Sequence, residues 1–198
     1  MKPVNPSKVI CIGRNYAAHI TELGNQVADE MVVFLKPPSA ITNTLMCTHK
    51  DEQLHFETEI CFQVNNGCLA AVAVGLDLTK RDLQSKLKAS GLPWERAKAF
   101  DGSALFSEFV QIDEQAIEHL SLTLLIDNKV RQQGGVELML YKPAVISAQV
   151  SEFMTLIDGD IIMTGTPAGV GAVNAGSTFI AQLHLGSDLL VQQEWLAE

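Results

Sequence analysis

The strongest constraint on the fold is a run of β-forming residues, Leu54 to Val64 (LHFETEICFQV), that enters Asn65-Asn66-Gly67 and leaves through Leu69 to Leu76. Asn and Gly accept the positive φ of tight turns, so the pattern predicts a β-hairpin. In its first strand, residues two apart share a face. Glu57 and Glu59 therefore project side by side, with Thr58 on the other face among apolar neighbours. Adjacent carboxylates repel unless they are solvated, protonated or neutralised by a cation. Ile60, Cys61 and Phe62 make solvation less comfortable, and oxygen-only ligands suit a hard ion such as Mg2+ or Mn2+. The competing reading of the E-x-E pattern by itself is a solvent-facing stripe on an edge strand.

The rest of the chain adds further strands and a few helices. Val9 to Gly13 and Val32 to Leu35 read as strands, the second stopped by Lys36-Pro37-Pro38. Asn15 to Leu23 reads as a short helix closed by Gly24. Thr79 is expected to cap a helix over Lys80 to Ala89 that ends at Ser90-Gly91. Leu122 to Ile126, Asp127-Asn128 and Lys129 to Gln132 form a second hairpin signal. Pro143 to Phe153 is an amphipathic helix, and Ile161 to Met163 and Thr178 to Leu183 are late strands. Groups of strands with helices between them predict an α+β fold around a mixed or antiparallel sheet. The 198 residues suit one domain, with no repeat, linker or low-complexity segment.

A net charge of −9 argues against a nucleic-acid surface. It says little about an anionic substrate, because a bound divalent cation reverses the sign locally. No apolar run is long enough for a membrane helix. The opening residues run into the first strand and do not read as a signal peptide, so the cytoplasm is the expected location. Cys11, Cys47, Cys61 and Cys68 form no CxxC pair, which disfavours a zinc ribbon and predicts free, mostly buried thiols.

Three further segments carry candidate chemistry. Asp77 sits where the returning strand of the hairpin meets a helix, so it can add a third carboxylate or serve only as a cap. His19 and Glu22 are three apart on a helix, where a carboxylate can orient an imidazole as a general base; an ordinary surface pair is the alternative. Met163-Thr164-Gly165-Thr166-Pro167-Ala168-Gly169 runs from a strand into a glycine-rich turn that offers N–H groups and hydroxyls to an anion. It lacks the spacing of a nucleotide-binding P-loop.

Taken together, GRNYAAH (13–19), FLKPPSA (34–40), HFETE (55–59), GLDLTKRDLQ (75–84), GLPWERAKAFD (91–101) and GDIIMTGTPAGVG (159–171) resemble the fumarylacetoacetate hydrolase family, especially its short acylpyruvase and oxaloacetate-handling members. The resemblance implies a β-rich roll of mixed sheets, usually a homodimer. It implies Mg2+, with Mn2+ as an alternative, on Glu57, Glu59 and Asp77, and a His19–Glu22 acid/base dyad. Lys98 would contact the substrate carboxylate or enolate oxygen. Gln84 would lie on a lid helix, and Thr166 would hold the substrate carboxylate. The leading expectation is hydrolytic C–C cleavage of an acylpyruvate-type 2-oxo acid. Oxaloacetate decarboxylation or tautomerisation, or isomerisation of 2-hydroxyhepta-2,4-diene-1,7-dioate, is the alternative, and a non-catalytic metal- or ligand-binding homologue a further one. The chain departs from the family pattern in the short stretch of 17 residues between Glu59 and Asp77, where Asn65-Asn66-Gly67 stands in place of a helix. A histidine pair is reduced to His55-Phe56, and a hairpin usually read as Asn-Gly is Asp127-Asn128.

Overall fold

The computed structural model describes residues 5–198. Its principal strands, in chain order, are β1 (Val9–Gly13), β2 (Val32–Lys36), β3 (Thr58–Asn65), β4 (Cys68–Asp77), β5 (Ala104–Phe106), β6 (Leu120–Ile126), β7 (Lys129–Gly135), β8 (Ile161–Met163), β9 (Thr178–Leu185) and β10 (Asp188–Leu196). The α-helices are α1 (Ala17–Glu22), α2 (Arg81–Ala89), α3 (Glu95–Lys98) and α4 (Pro143–Phe153). The larger sheet runs β2-β1-β8-β3-β4-β5, with Val110–Gln111 also pairing to β4. Only β1 and β8 are parallel in it, so the sheet is mixed, as an α+β chain predicts. The second sheet, β7-β6-β9-β10, is antiparallel throughout.

Alternation along β3 and β4 decides what each face carries. Ile60, Phe62, Val72, Val74 and Leu76 point at the second sheet and pack with Leu122, Leu124, Phe179 and Leu183. Burying such side chains, at about 25 cal/mol per Å2 of apolar surface, is the main force joining the two sheets. The opposite face carries Cys61 and Ala73, packed with Cys11, Phe34, Phe106 and Met163. α4 covers the far end of the sheet through Ile146 and Val150 against Ile10, Ile12 and Ile162.

The β3–β4 hairpin turns on Asn66 and Gly67, both at positive φ (51° and 74°). Beside the turn, Asn65 faces Cys68 and Val64 faces Leu69. Ala70 is then an extra residue, and from Gln63 opposite Ala71 onward the register has moved by one. That shift sets Glu59 opposite Gly75, and the Asp77 N–H donates to the Glu57 carbonyl at 2.8 Å. Residues opposite each other in an antiparallel pair share a face. Without the bulge Leu76 would face Glu57, and Asp77 would turn toward the apolar layer between the sheets.

Several expectations are refined. The predicted strand over Leu54 to Val64 is broken at Glu57: His55–Phe56 pairs with Gly171–Ala172, and β3 begins at Thr58. Glu57 and Glu59 are not an exposed stripe, because β3 lies inside the sheet between β8 and β4. Thr79 does not cap α2. Its hydroxyl donates to the Asp77 carbonyl at 3.2 Å and accepts from Lys98, and the helix begins at Arg81 without a side-chain cap. The second hairpin turns on Asp127 and Asn128, both at positive φ. All four cysteines are free; Cys11 and Cys61 are buried, Cys47 is half-buried and Cys68 is exposed. The short strand β5, the nine-residue β10 and the single-turn α3 were not anticipated.

Candidate metal centre and acid–base dyad

Glu57 and Glu59 come from the entry and first turn of the β3 pleat, and Asp77 closes β4 across from them. Each carboxylate offers one oxygen within 4.8 Å of the others, and the three residues are 6%, 2% and 1% exposed. Gly75, opposite Glu59, has no room for a side chain, since a Cβ there would meet the Leu105 carbonyl oxygen at 2.7 Å and Cys61 Sγ at 2.9 Å.

Buried like charges need partners, and each carboxylate has a different set. Lys98, at the end of α3, donates to Glu57 Oε2 at 2.8 Å, to Asp77 Oδ2 at 2.6 Å and to Thr79 Oγ1 at 2.6 Å. The Arg81 guanidinium bonds Glu57 Oε1 and also donates to Gln84 Oε1 at 2.9 Å. Fully buried Lys36 lies 2.8 Å from Asp77 Oδ1 and donates to the Ser103 carbonyl and hydroxyl at 3.0 Å each. Burial pushes the Glu57 carboxyl up, but Lys98, Arg81 and His19 together outweigh it and hold the group ionised. Lys98 behaves as the mirror image: burial favours the neutral amine, and Asp77 and Glu57 hold it charged. Glu59 forms no salt bridge among the described residues. Burial, then Asp77, then Glu57 push its carboxyl well above the usual range, against the more distant Lys98 charge and a hydrogen bond from the Gly165 N–H at 2.7 Å.

The residues fit a hard divalent cation. The donor set is oxygen only. Burial beside Asp77 and Glu57 disfavours the charged form of Glu59. Asp77 Oδ1 is buried and accepts no hydrogen bond, because Lys36 lies close to it but outside bonding geometry. An ion held by Glu57, Glu59 and Asp77 would satisfy all three conditions at once.

The same cleft is lined by His19, Gln84, Lys98 and Thr166, so the residues named from the sequence converge. Glu22 stands behind His19, with its Oε2 3.3 Å from His19 Nδ1. This leaves Nε2 as the free ring nitrogen. Burial holds the imidazole below its ordinary value of 6.5, while Glu57 and Glu22 pull it back up. The Glu22 carboxylate also accepts the Gly169 N–H at 3.0 and 3.2 Å. Gly169 sits at φ 103°, and a Cβ there would meet the Arg131 carbonyl oxygen at 2.0 Å. The glycine-rich turn therefore does give N–H groups to carboxyl oxygens, but these belong to the protein's own Glu59 and Glu22.

Sequence reasoning missed Gln132. It lies buried on β7, on the second sheet, and its Oε1 accepts the Thr58 N–H at 3.0 Å. Its Nε2 donates to Thr166 Oγ1 and to the Pro167 carbonyl, both at 2.8 Å. The Thr166 hydroxyl in turn donates to the Thr58 carbonyl at 2.9 Å. Lys36 and Arg81 were missed as well, although a lysine ending the apolar run VVFLK was a visible signal. Nothing in RQQGG pointed to Gln132, because its partners are distant in sequence.

A family model described as fumarylacetoacetate (FAA) hydrolase C-terminal matches residues 8–189. The chain is 38% identical over 193 residues to the mitochondrial oxaloacetate tautomerase FAHD1 of Arabidopsis thaliana, covering 88% of this chain and 85% of that one. It is 38% identical over 186 residues to the oxaloacetate tautomerase YcgM of Escherichia coli, covering 86% and 85%. Among solved structures, the fumarylpyruvate hydrolase of Pseudomonas aeruginosa in complex with Mn2+ and pyruvate is similar with a TM-score of 0.86. That likeness is at 28% identity and covers 100% of this chain and 97% of the other.

Proposed function

The chain belongs to the fumarylacetoacetate hydrolase family, and on that premise we propose that it is an oxaloacetate tautomerase working with Mg2+ or Mn2+ on Glu57, Glu59 and Asp77. The observation that carries this reading is the His19 imidazole, backed by Glu22 at 3.3 Å, in the cleft that the three carboxylates line. Tautomerisation needs a base and a stabilised oxygen, with no water consumed and no bond between carbons broken. The names of relatives at 38% identity agree with it. The hydrolytic reading expected from the sequence becomes the second one.

A divalent cation bound there would supply Lewis-acid polarisation of the oxygens of a 2-oxo acid. His19 Nε2 takes the proton from the carbon next to the keto group and returns it to the oxygen, so one base serves both halves of the exchange. Glu22, tied to the Gly169 N–H, fixes the ring through Nδ1. Lys98 stays protonated between Glu57, Asp77 and Thr79, so it acts as fixed positive charge beside the oxygen that gains electrons. Gln84 on α2 and Thr166 border the substrate's space. The Thr166 hydroxyl proton is already given to Thr58, so a substrate carboxylate would compete with that bond. A single catalytic domain, a homodimer and a cytoplasmic location belong to the same proposal; no described helix is long and apolar enough to cross a membrane.

Hydrolytic C–C cleavage of an acylpyruvate is favoured by one specific finding, the likeness to the fumarylpyruvate hydrolase holding Mn2+ and pyruvate. It would use His19 on water instead of carbon. One assay separates the two readings. Keto–enol exchange of oxaloacetate, its decarboxylation, isomerisation of the dienedioate and acetylpyruvate cleavage are followed with and without Mg2+ or Mn2+. Metal-dependent exchange faster than the other three supports the tautomerase; faster acetylpyruvate cleavage overturns it in favour of the hydrolase.

A further inference from the structure

The cleft contains more positive charge than its own carboxylates require. Glu57, Glu59 and Asp77 face three close cations, Lys36, Arg81 and Lys98. Two more cationic side chains line the same cleft, Arg14 from the end of β1 and Lys88 from the last turn of α2. Neither forms a salt bridge among the described residues. Arg14 has one long contact, Nη1 to the Gln26 carbonyl at 3.5 Å, and lies over the Trp94 ring at 5.9 Å from its centroid. Lys88 reaches only the neutral Asn25 Oδ1, at 3.4 Å.

Both residues are placed at some cost to the fold. Arg14 occupies the left-handed region, φ 58°, which non-glycine residues rarely adopt. Burial and then Arg14 itself disfavour the charged form of Lys88, as expected of two like charges facing one space. Two half-buried cations without an acidic partner, in the cleft of a candidate metal centre, describe a receptor for an anion that arrives with the substrate.

We propose that Arg14 and Lys88 bind the second carboxylate of a 2-oxo dicarboxylate whose other end lies at the metal centre, so that this chain selects dianionic over monoanionic 2-oxo acids. The proposal rests on the 2-oxo acid reading above and narrows it to substrates of oxaloacetate's charge. Arg14 stands against Trp94 and Lys88 projects from α2, so the second carboxylate bridges the two elements. An acylpyruvate with an uncharged tail offers nothing to this pair.

The test is direct binding to the Mn2+-loaded protein by calorimetry, with pyruvate as the monoanion and 3,3-difluorooxaloacetate, which cannot enolise, as the dianion. The wild type is expected to prefer the dianion. Lys88→Met should weaken the dianion about tenfold, and pyruvate much less, since one charged contact is lost. Lys88→Arg should restore most of the preference, which a packing role for the side chain would not require. Equal weakening of both ligands, or no change in either, overturns the subsite while leaving the metal-bound 2-oxo acid reading intact. Failure of the Mn2+-loaded wild type to bind either ligand overturns both.

Discussion

The side-chain carbonyl of Gln132 accepts the backbone N–H of Thr58 at 3.0 Å, so a residue of the second sheet holds the strand between the two glutamates of the first. The same amide grips Thr166 and Pro167. Gln132→Ala would leave the buried Thr58 N–H without its partner, at a cost of about 1–3 kcal/mol in stability. Because the freed segment carries Glu57 and Glu59, Mn2+ affinity should fall by roughly 10-fold or more, as for other residues that orient metal ligands. Titration of Mn2+ beside urea unfolding checks this. A stability loss with unchanged affinity would reduce Gln132 to a packing role.

Burial, and then the charges of Asp77 and Glu57, push the Glu59 carboxyl up. A divalent cation competes with a proton for that carboxyl, so its affinity rises with pH and falls on acidification. Calorimetric titration in two buffers of different ionisation enthalpy should show net proton release on binding. Glu59→Gln should abolish the release, and Glu57→Gln should abolish metal-dependent turnover while the protein stays folded. Release of no proton by the wild type would contradict the assignment.

His19 is held below its ordinary 6.5 chiefly by burial, with Glu57 and Glu22 pulling the other way. The base is therefore neutral down to pH values below that figure, and the acid limb of kcat/KM should lie there. Glu22→Gln removes one of the upward pulls, so the limb moves to still lower pH. The plateau should drop by about 10- to 100-fold, since the ring also loses its orientation. A limb displaced upward would mean that Glu22 does not act through His19.

Deleting Ala70 removes the bulge and restores the hairpin register that its turn alone would set. Ala71 onward then moves up one place in the chain, so Ala71 still faces Gln63 and Asp77 still comes opposite Glu57. Thermal stabilisation by Mn2+, about 2.7 kcal/mol when the ion stands at 100 times its Kd, should therefore persist in the deletion variant. Circular dichroism would show that the sheets persist. Lost stabilisation would show that the bulge shapes the site beyond setting its register.

Much of the fold was legible because local chemistry specified it. Asn66-Gly67 and Asp127-Asn128 tolerate positive φ, so both hairpins could be placed from the sequence. Pro143 at the first turn and apolar residues at helical spacing marked α4. The helix start near Thr79 was misread because Lys98, 19 positions away, takes the threonine hydroxyl for the centre.

The sequence by itself determined that Glu57 and Glu59 share a face, since that follows from the two-residue period of any strand. It also determined that a hairpin returns the chain to Asp77, and that His19 and Glu22 lie one helical turn apart. Tertiary structure alone decided that Asp77 joins the glutamates, because one extra residue at Ala70 changes the face of everything beyond it. It alone decided which groups compensate the charges. Lys36, Arg81, Lys98 and Gln132 reach the site from separate elements, and burial beside three carboxylates makes their partnership energetically necessary. Spacing in the chain carries no trace of that necessity, which arises only when the sheets close over the site and exclude water.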